Sequence, residues 1–351
     1  MIKVGIIGFG YMGHFHWNKI KQTGAAEVTA ICDIDKDRLE EGKRNGFHVY
    51  SDREIDAFFK EEMDLVVVAT QNQFHAYYSI QAMKTGHHVL CEKPVTLNVK
   101  DLDNIISVSK KTNKIFTVHQ QRRYDRDYLM VKEMIDNNVI GHVHTIESRI
   151  MGERGVCFGW RADPAAGGGM LYDWAPHLID QYLQMFRDEK VLSVQARLKS
   201  ILTPAVDDYV ELNLSFSNNI YAKIIISTFA LQKMPRWYVL ADRGTMKIDD
   251  MTGESGGIAR IRREVSGFDS VLGKEGLGPS RTMAPLEPGY MEKIRLPEIE
   301  DTSMFFWNDL INALLNGTHP AVKTSEIRRQ MQIIEIAQKS AKIGQIISAE
   351  I

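Results

Sequence analysis

Over the first third of the chain, short apolar, β-branched runs alternate with polar stretches of helical period. The runs are Val4 to Ile7, Val28 to Ile31, Leu65 to Val68, His88 to Leu90 and Ile115 to Val118. Strands that are apolar on both faces, with helices between them, predict a doubly wound α/β layer built on a parallel sheet. After Gln121 the period changes. A helix is expected from Tyr124 to Asp136, then longer strand-like runs from His142 to Ile150, Val191 to Leu202, Val206 to Phe216 and Ile220 to Phe229. Consecutive strands without intervening helices predict an open, mostly antiparallel sheet in an α+β arrangement. The division is expected near residue 122, giving a dinucleotide-binding domain at 1–122 and a substrate-binding and oligomerisation domain at 123–351. From Thr252 to Pro297 Gly, Pro and charged residues recur without a period, which predicts loops and short strands, and two helices, about Ser303 to Asn316 and Thr324 to Ile343, close the chain.

Length and charge fit this division. A chain of 351 residues exceeds the roughly 250–300 at which a single core stops growing. A formal net charge of −2 offers no electrostatic footprint for nucleic acid or an anionic membrane, so a small-molecule partner is expected. Cys32, Cys91 and Cys157 are scattered and odd in number, which argues against a disulfide framework or a zinc knuckle and fits a reducing cytoplasm. The opening MIKVGIIGFG lacks the features of a signal peptide, and no apolar run approaches the roughly 18 residues of a membrane span.

The candidate chemistry sits at strand ends. Gly8-Phe9-Gly10-Tyr11-Met12-Gly13 follows the first strand and opens a helix. In that context the first glycine makes a tight turn, the second admits a pyrophosphate, and the third allows close helix packing. Asp33 ends the next strand about 20 residues on, where a carboxylate accepts from a ribose hydroxyl and repels a ribose phosphate, so NAD is favoured over NADP. Lys36 and Arg38 nearby soften that preference. Thr70, Asn72 and His75, in ATQNQFH, follow the third strand and are expected near the cofactor or at a helix start.

Cys91-Glu92-Lys93-Pro94 ends the fourth strand. There Glu92 and Lys93 are expected beside the nicotinamide, with the Lys93 ammonium able to stabilise a developing alkoxide. In GGGMLYDWAPHLID, Asp173 and His177 are four apart and would share a helix face. His177 is suited to accepting a hydroxyl proton and Asp173 to orienting it, against the alternative of a helix cap and a packed histidine. The triple glycine before them is expected to let backbone pass close to a ligand. Arg122, Arg123 and Tyr124, with Trp160 and Arg161, are candidates for the substrate side, because an aromatic with a guanidinium suits a polyhydroxylated ring. No metal is expected. His14 with His16 and His142 with His144 resemble ligand pairs, but no third ligand is identifiable near either. Tyr128 and Lys132 mimic a Tyr-x-x-x-Lys pair without the glycine spacing that would accompany it.

These pieces together resemble the Gfo/Idh/MocA oxidoreductases, essentially end to end: GFGYMG with His16 behind it, Asp33, ATQNQFH, GHHVLCEKP, HQQRRYD, GGGMLYDWAPHLIDQ, ADRGTMKID and the closing QKSAKIGQII. The resemblance implies a Rossmann domain followed by an open-faced sheet domain that mediates contacts in a homodimer or homotetramer. It also implies Lys93, Asp173 and His177 as the site, with His177 the proton acceptor when hydride leaves a ring hydroxyl of a sugar or cyclitol. Two departures are Gln71, where the family has proline in a Thr-Pro-Asn run, and Ala175-Pro176 in place of a glycine-containing spacing before the histidine. The expected function is oxidation of a secondary hydroxyl of a sugar, glycoside or inositol by NAD. The alternatives are a redox-neutral enzyme with retained NAD or a non-catalytic dinucleotide-binding regulator.

Overall fold

The computed structural model describes residues 1–267 and 285–351. Its first sheet contains β1 (Ile2–Ile7), β2 (Ala26–Cys32), β3 (His48–Tyr50), β4 (Leu65–Val68), β5 (His88–Cys91) and β6 (Phe116–Val118). The order is β3-β2-β1-β4-β5-β6, with every pairing parallel, the doubly wound order of a dinucleotide-binding fold. Helices α1 (Tyr11–Thr23), α2 (Lys36–Arg44), α3 (Ile55–Phe58), α4 (His75–Lys84) and α5 (Val99–Thr112) connect these strands. The apolar runs predicted this layer because both faces are covered, and β4 is buried at every position. The edge strand β3, only three residues long and half-exposed, had no such run to announce it.

The second sheet contains β7 (Val143–Met151), β8 (Val191–Lys199), β9 (Tyr209–Phe216), β10 (Tyr221–Ser227), β11 (Trp237–Ala241), β12 (Gly244–Ile248), β13 (Gly256–Ile261), β14 (Met291–Ile294) and β15 (Ile347–Ser348). Its order is β14-β13-β12-β11-β7-β10-β9-β8-β15. All pairings are antiparallel except β7 with β10, so the sheet is open and mostly antiparallel. The hairpin of β11 and β12 lies outside the strand-like runs read from the sequence. Strands β13 and β14 fall within the segment expected to hold loops and short strands; its residues 268–284 lie outside the described residues.

The remaining helices are α6 (Arg126–Asp136), α7 (Met170–Asp173), α8 (Ala175–Met185), α9 (Phe305–Asn316) and α10 (Thr324–Ile343). Helix α8 is buried along its whole length, and its Tyr182 donates to the Lys223 carbonyl of β10 at 2.8 Å. The chain then returns to the first layer. Glu335 on α10 accepts from the Val99 N–H at 2.6 Å, Arg328 pairs with Asp103 at 2.7 Å, and Thr117 donates to the Val322 carbonyl. The last helix therefore packs α5 and β6 against α8, beside the strand ends that carry the candidate site residues. Among the described residues no helix is long and apolar enough to cross a membrane.

Candidate active site

The turn after β1 is shaped by its three glycines in three ways. Gly8 has φ +91°, and a Cβ there would lie 2.5 Å from the Ala69 carbonyl oxygen; one on Gly13 would lie 2.3 Å from the Gly8 oxygen. Both positions are closed by backbone. At Gly10 a Cβ would meet no heavy atom within 4 Å. The first and third glycines therefore permit the turn and the helix packing, while the second leaves open space in front of the N-terminus of α1, where backbone N–H groups favour a phosphate. Asp33 lies beyond β2, where its Oδ2 accepts from the Phe9 N–H at 2.6 Å and its Oδ1 from the Asp35 N–H at 2.8 Å. A carboxylate has about four acceptor sites, so capacity remains for ribose hydroxyls. On these observations the cradle fits a dinucleotide. Thr70 flanks Gly8, and Tyr11 is exposed at the opening with Met12 half-buried beside it.

Four residues expected at the cofactor are committed elsewhere. The Phe9 side chain is fully buried against His14, Trp17 and Phe47, and its N–H is given to Asp33. Asn72 is buried and donates to the Gly167 carbonyl at 2.9 Å, joining the two halves of the chain. His75 is buried with Nδ1 at 2.8 Å from the Pro94 carbonyl and Nε2 at 3.1 Å from that of Thr70; it positions the segment after β4 against the one after β5. Glu92 is buried, its Oε1 accepting from His16 Nε2 and His119 Nδ1 at 2.8 Å each and its Oε2 from the Lys93 N–H at 3.1 Å. Burial alone would push the Glu92 carboxyl up, but His119 and His16 hold it well below the usual range. Thus His16 does have acidic and imidazole neighbours, contrary to the expectation from its sequence surroundings, and all three form one hydrogen-bonded group. His14 is not part of it and meets the Gly10 carbonyl and Glu41 instead.

Lys93 turns the other way. Its Nζ donates to Asp173 twice, at 2.7 Å to Oδ1 and 2.7 Å to the backbone oxygen, and the Lys93–Pro94 bond is cis. Arg161, stacked 4.5 Å from the Trp160 ring centre, approaches Asp173 Oδ2 at 3.6 Å. Burial would raise the Asp173 carboxyl, but Lys93 and Arg161 outweigh it and hold the group below its usual value. Asp173 and His177 do not share one helix face as their spacing predicted. Trp174, at φ −109° and ψ −34°, separates α7 from α8, so the carboxylate goes to Lys93 and the imidazole to Gln120, whose Oε1 is 3.2 Å from His177 Nδ1. His177 is buried, and burial first, then the charges of Lys93 and Arg122, keep its pKa well below 6.5. Burial therefore favours its neutral form. Arg122 lies 4.4 Å over the Trp174 ring, whose edge meets His177 at 6.2 Å between centres.

Two residues expected on the substrate side have partners within the protein. Arg123 is buried with its guanidinium divided between Asp180, at 2.7 Å, and Glu326, at 2.8 Å; those carboxylates compensate its desolvation. Tyr124 packs edge-on against Phe305 of α9. The triple glycine is also explained by the protein itself, since added Cβ atoms would strike Leu97 at Gly167, the Arg161 carbonyl at Gly168 and Asp207 at Gly169. Tyr128 is buried and Lys132 pairs with Asp136, so they form no site, and His142 and His144 are exposed without a shared partner. Sequence reasoning passed over Gln120, Trp174 and His119. The first and last lie immediately beyond the carboxyl end of β6, the place where an open α/β sheet binds ligands, and that position was the available signal.

Comparison with known proteins agrees with this architecture. A family profile described as the oxidoreductase family with NAD-binding Rossmann fold matches residues 2–120, and one described as the GFO/IDH/MocA C-terminal domain matches residues 128–247. The crystal structure of an NAD-binding protein from Listeria innocua is similar, with a TM-score of 0.87, 33% identity, and coverage of 99% of this chain and 97% of that one. A myo-inositol 2-dehydrogenase of Thermotoga maritima is 33% identical over 54% of this chain and 56% of its own length. The NADP-dependent scyllo-inositol 2-dehydrogenase of Bacillus subtilis is 23% identical over 99% and 96%. With both halves matched by family profiles and the whole chain by a solved structure at 33% identity, the chain belongs to the Gfo/Idh/MocA family of NAD-binding oxidoreductases.

Proposed function

We propose that the protein oxidises a secondary ring hydroxyl of a sugar, glycoside or inositol to a ketone, with NAD as the hydride acceptor. The observation that carries this reading is the Lys93 ammonium bound to Asp173 beside the buried neutral His177. An ammonium has three N–H bonds. Two are given to Asp173, which leaves the third for the substrate oxygen. Asp173 thus keeps Lys93 cationic and aimed, and Lys93 stabilises negative charge as it develops on that oxygen. His177 takes the hydroxyl proton on the ring nitrogen that Gln120 does not engage. When bound, the dinucleotide supplies the site for the hydride, which leaves the carbinol carbon with its bonding pair as the carbonyl forms. Gly8, Gly10, Tyr11, Met12, Gly13, Asp33 and Thr70 are the residues proposed to hold it, and Lys93 is proposed to lie beside its nicotinamide. NAD is favoured over NADP because Asp33 and Asp35 set negative charge where a ribose phosphate would lie. Trp160 and Arg161, stacked on each other with Arg161 approaching Asp173, are proposed to flank a polyhydroxylated ring.

The test mixes purified protein with inositols, free sugars and glycosides, first with stoichiometric NAD and then with NAD in large excess, while reduced-nicotinamide absorbance is followed. Steady production with one class supports the reading and identifies the substrate. A single burst without continued NADH release would instead indicate retained cofactor and a redox-neutral reaction. NAD binding with no signal from any class would favour a regulator.

A further inference from the structure

His177 Nδ1 is the near end of a chain of buried amides. Gln120 Oε1 lies 3.2 Å from it, and Gln120 Nε2 donates to Gln330 Oε1 at 3.2 Å. Gln330, on α10, donates in turn from Nε2 to the Pro176 carbonyl. Gln120 and Gln330 are each 1% exposed, so solvent cannot substitute for these partners.

The polarity of the chain follows from its far end. A backbone carbonyl only accepts, so the end of Gln330 that meets Pro176 must be its NH2 group. The other end is then the amide oxygen, which requires an N–H from Gln120. That turns the Gln120 oxygen toward His177, and an amide oxygen requires a proton on Nδ1. In a neutral imidazole with Nδ1 protonated, the lone pair is on Nε2. We propose that Gln330 and Gln120 form an orienting relay that fixes the tautomer of His177, using the carbonyl of the residue before it as the reference. Both are positioning residues, 210 positions apart in the chain.

This inference rests on the reading of His177 as proton acceptor and adds what makes it one. Nδ1 keeps its hydrogen before and after Nε2 is protonated, so neither amide need rotate during the reaction. A histidine with the opposite tautomer presents an N–H to the hydroxyl and cannot accept its proton. The same fault, introduced through the aspartate of a serine protease triad, lowers turnover by about 10⁴. Here the amide can still rotate, so the loss should be smaller.

The direct test is 15N NMR of the full chain labelled at histidine, with the His177 signals assigned by their absence in His177→Ala. In the unmodified protein His177 should carry its proton on Nδ1; a proton on Nε2 would overturn the relay without recourse to any variant. In Gln330→Leu the Gln120 amide loses its anchor, Nε2–H should become populated, and kcat/KM should fall by roughly tenfold to a hundredfold with NAD affinity unchanged. An unchanged tautomer in that variant would also overturn the proposal. Adding Gln120→Glu to Gln330→Leu supplies a carboxylate that only accepts when ionised, so Nδ1–H should return; its failure to return would count against the relay. A shifted tautomer with undiminished hydride transfer would support the relay and remove His177 from the proposed reaction.

Discussion

Glu92 and Lys93 are neighbours at the end of β5, and His119 and Gln120 are neighbours at the end of β6. The first of each pair belongs to a closed cluster and the second to the one proposed to react. In the closed cluster both imidazoles donate to one carboxylate oxygen; their other nitrogens, His16 Nδ1 and His119 Nε2, are buried with no partner among the described residues. Phe15, Phe306 and Trp307 wall it in. In the cluster proposed to react, Lys93 and Asp173 keep 17% and 19% of their side chains exposed, enough for a ligand to reach them. Similar residue types thus serve opposite purposes. Where every proton is spent and the walls are aromatic, the charge holds the strand ends together. Where one proton is left over and a path remains, it can act on a substrate.

The largest expected effect lies on the open side. Lys93→Met or His177→Ala should lower hydride transfer by about 10² to 10⁴ while NAD binding persists, since neither residue belongs to the glycine turn. Single-turnover absorbance and a binding titration separate the two effects, and near-normal turnover in either variant would remove that residue from the mechanism. On the closed side, Glu92→Ala leaves two imidazoles without their acceptor and frees the Lys93 N–H. Leaving two buried N–H donors without an acceptor costs about 1–3 kcal/mol for each, to be read from denaturant unfolding; an unfolding midpoint equal to that of the parent would show that the cluster is dispensable. Stability lost there should exceed stability lost in Lys93→Met.

The glycine turn sharpens the same contrast at smaller scale. Gly8→Ala forces a Cβ into the Ala69 carbonyl at a positive φ and should destabilise the fold by about 1–3 kcal/mol. Gly10→Ala meets open space, so unfolding should be nearly unchanged while NAD affinity falls. Equal effects of the two on unfolding would contradict the division of roles.

The smallest effect is in pH. His16 and His177 both titrate below 6.5 in the folded protein, burial being the leading cause in each. As pH falls through 6.5 the unfolded chain takes up these protons first, so stability present above 6.5 is lost on acidification toward the folded values. Because His177 stays neutral, the acid limb of kcat/KM should lie below pH 6.5. A limb above 6.5 would mean that the imidazole is not the group that loses activity.

Much of this molecule was legible in its sequence, for a local reason. Strands such as Leu65–Val68 are apolar at every position because both faces are covered, and a turn built on Gly8, Gly10 and Gly13 needs only near neighbours to take its shape. Lys93, Asp173 and His177 could be named because Lys93 stands at a strand end, the triple glycine precedes Asp173 and His177, and the end-to-end family resemblance points to all three. Their partners could not. Asp173 and His177 share a spacing that fits one helix, and only the break at Trp174 sends one to Lys93 and the other to Gln120. Arg123 looked available to a substrate until Asp180 and Glu326 arrived from 57 and 203 residues away. Glu92 and Lys93 differ in destination because packing gives them opposite surroundings, which no tripeptide records. Local sequence determined most of the strands, the glycine turn and the candidate reacting groups, because backbone period and steric need are short-range, while β3 and the β11–β12 hairpin carried no such signal. Which group is closed, which is open and which nitrogen carries the proton depend on contacts across the chain, and these exist only once α8 and α10 have packed against the ends of β5 and β6.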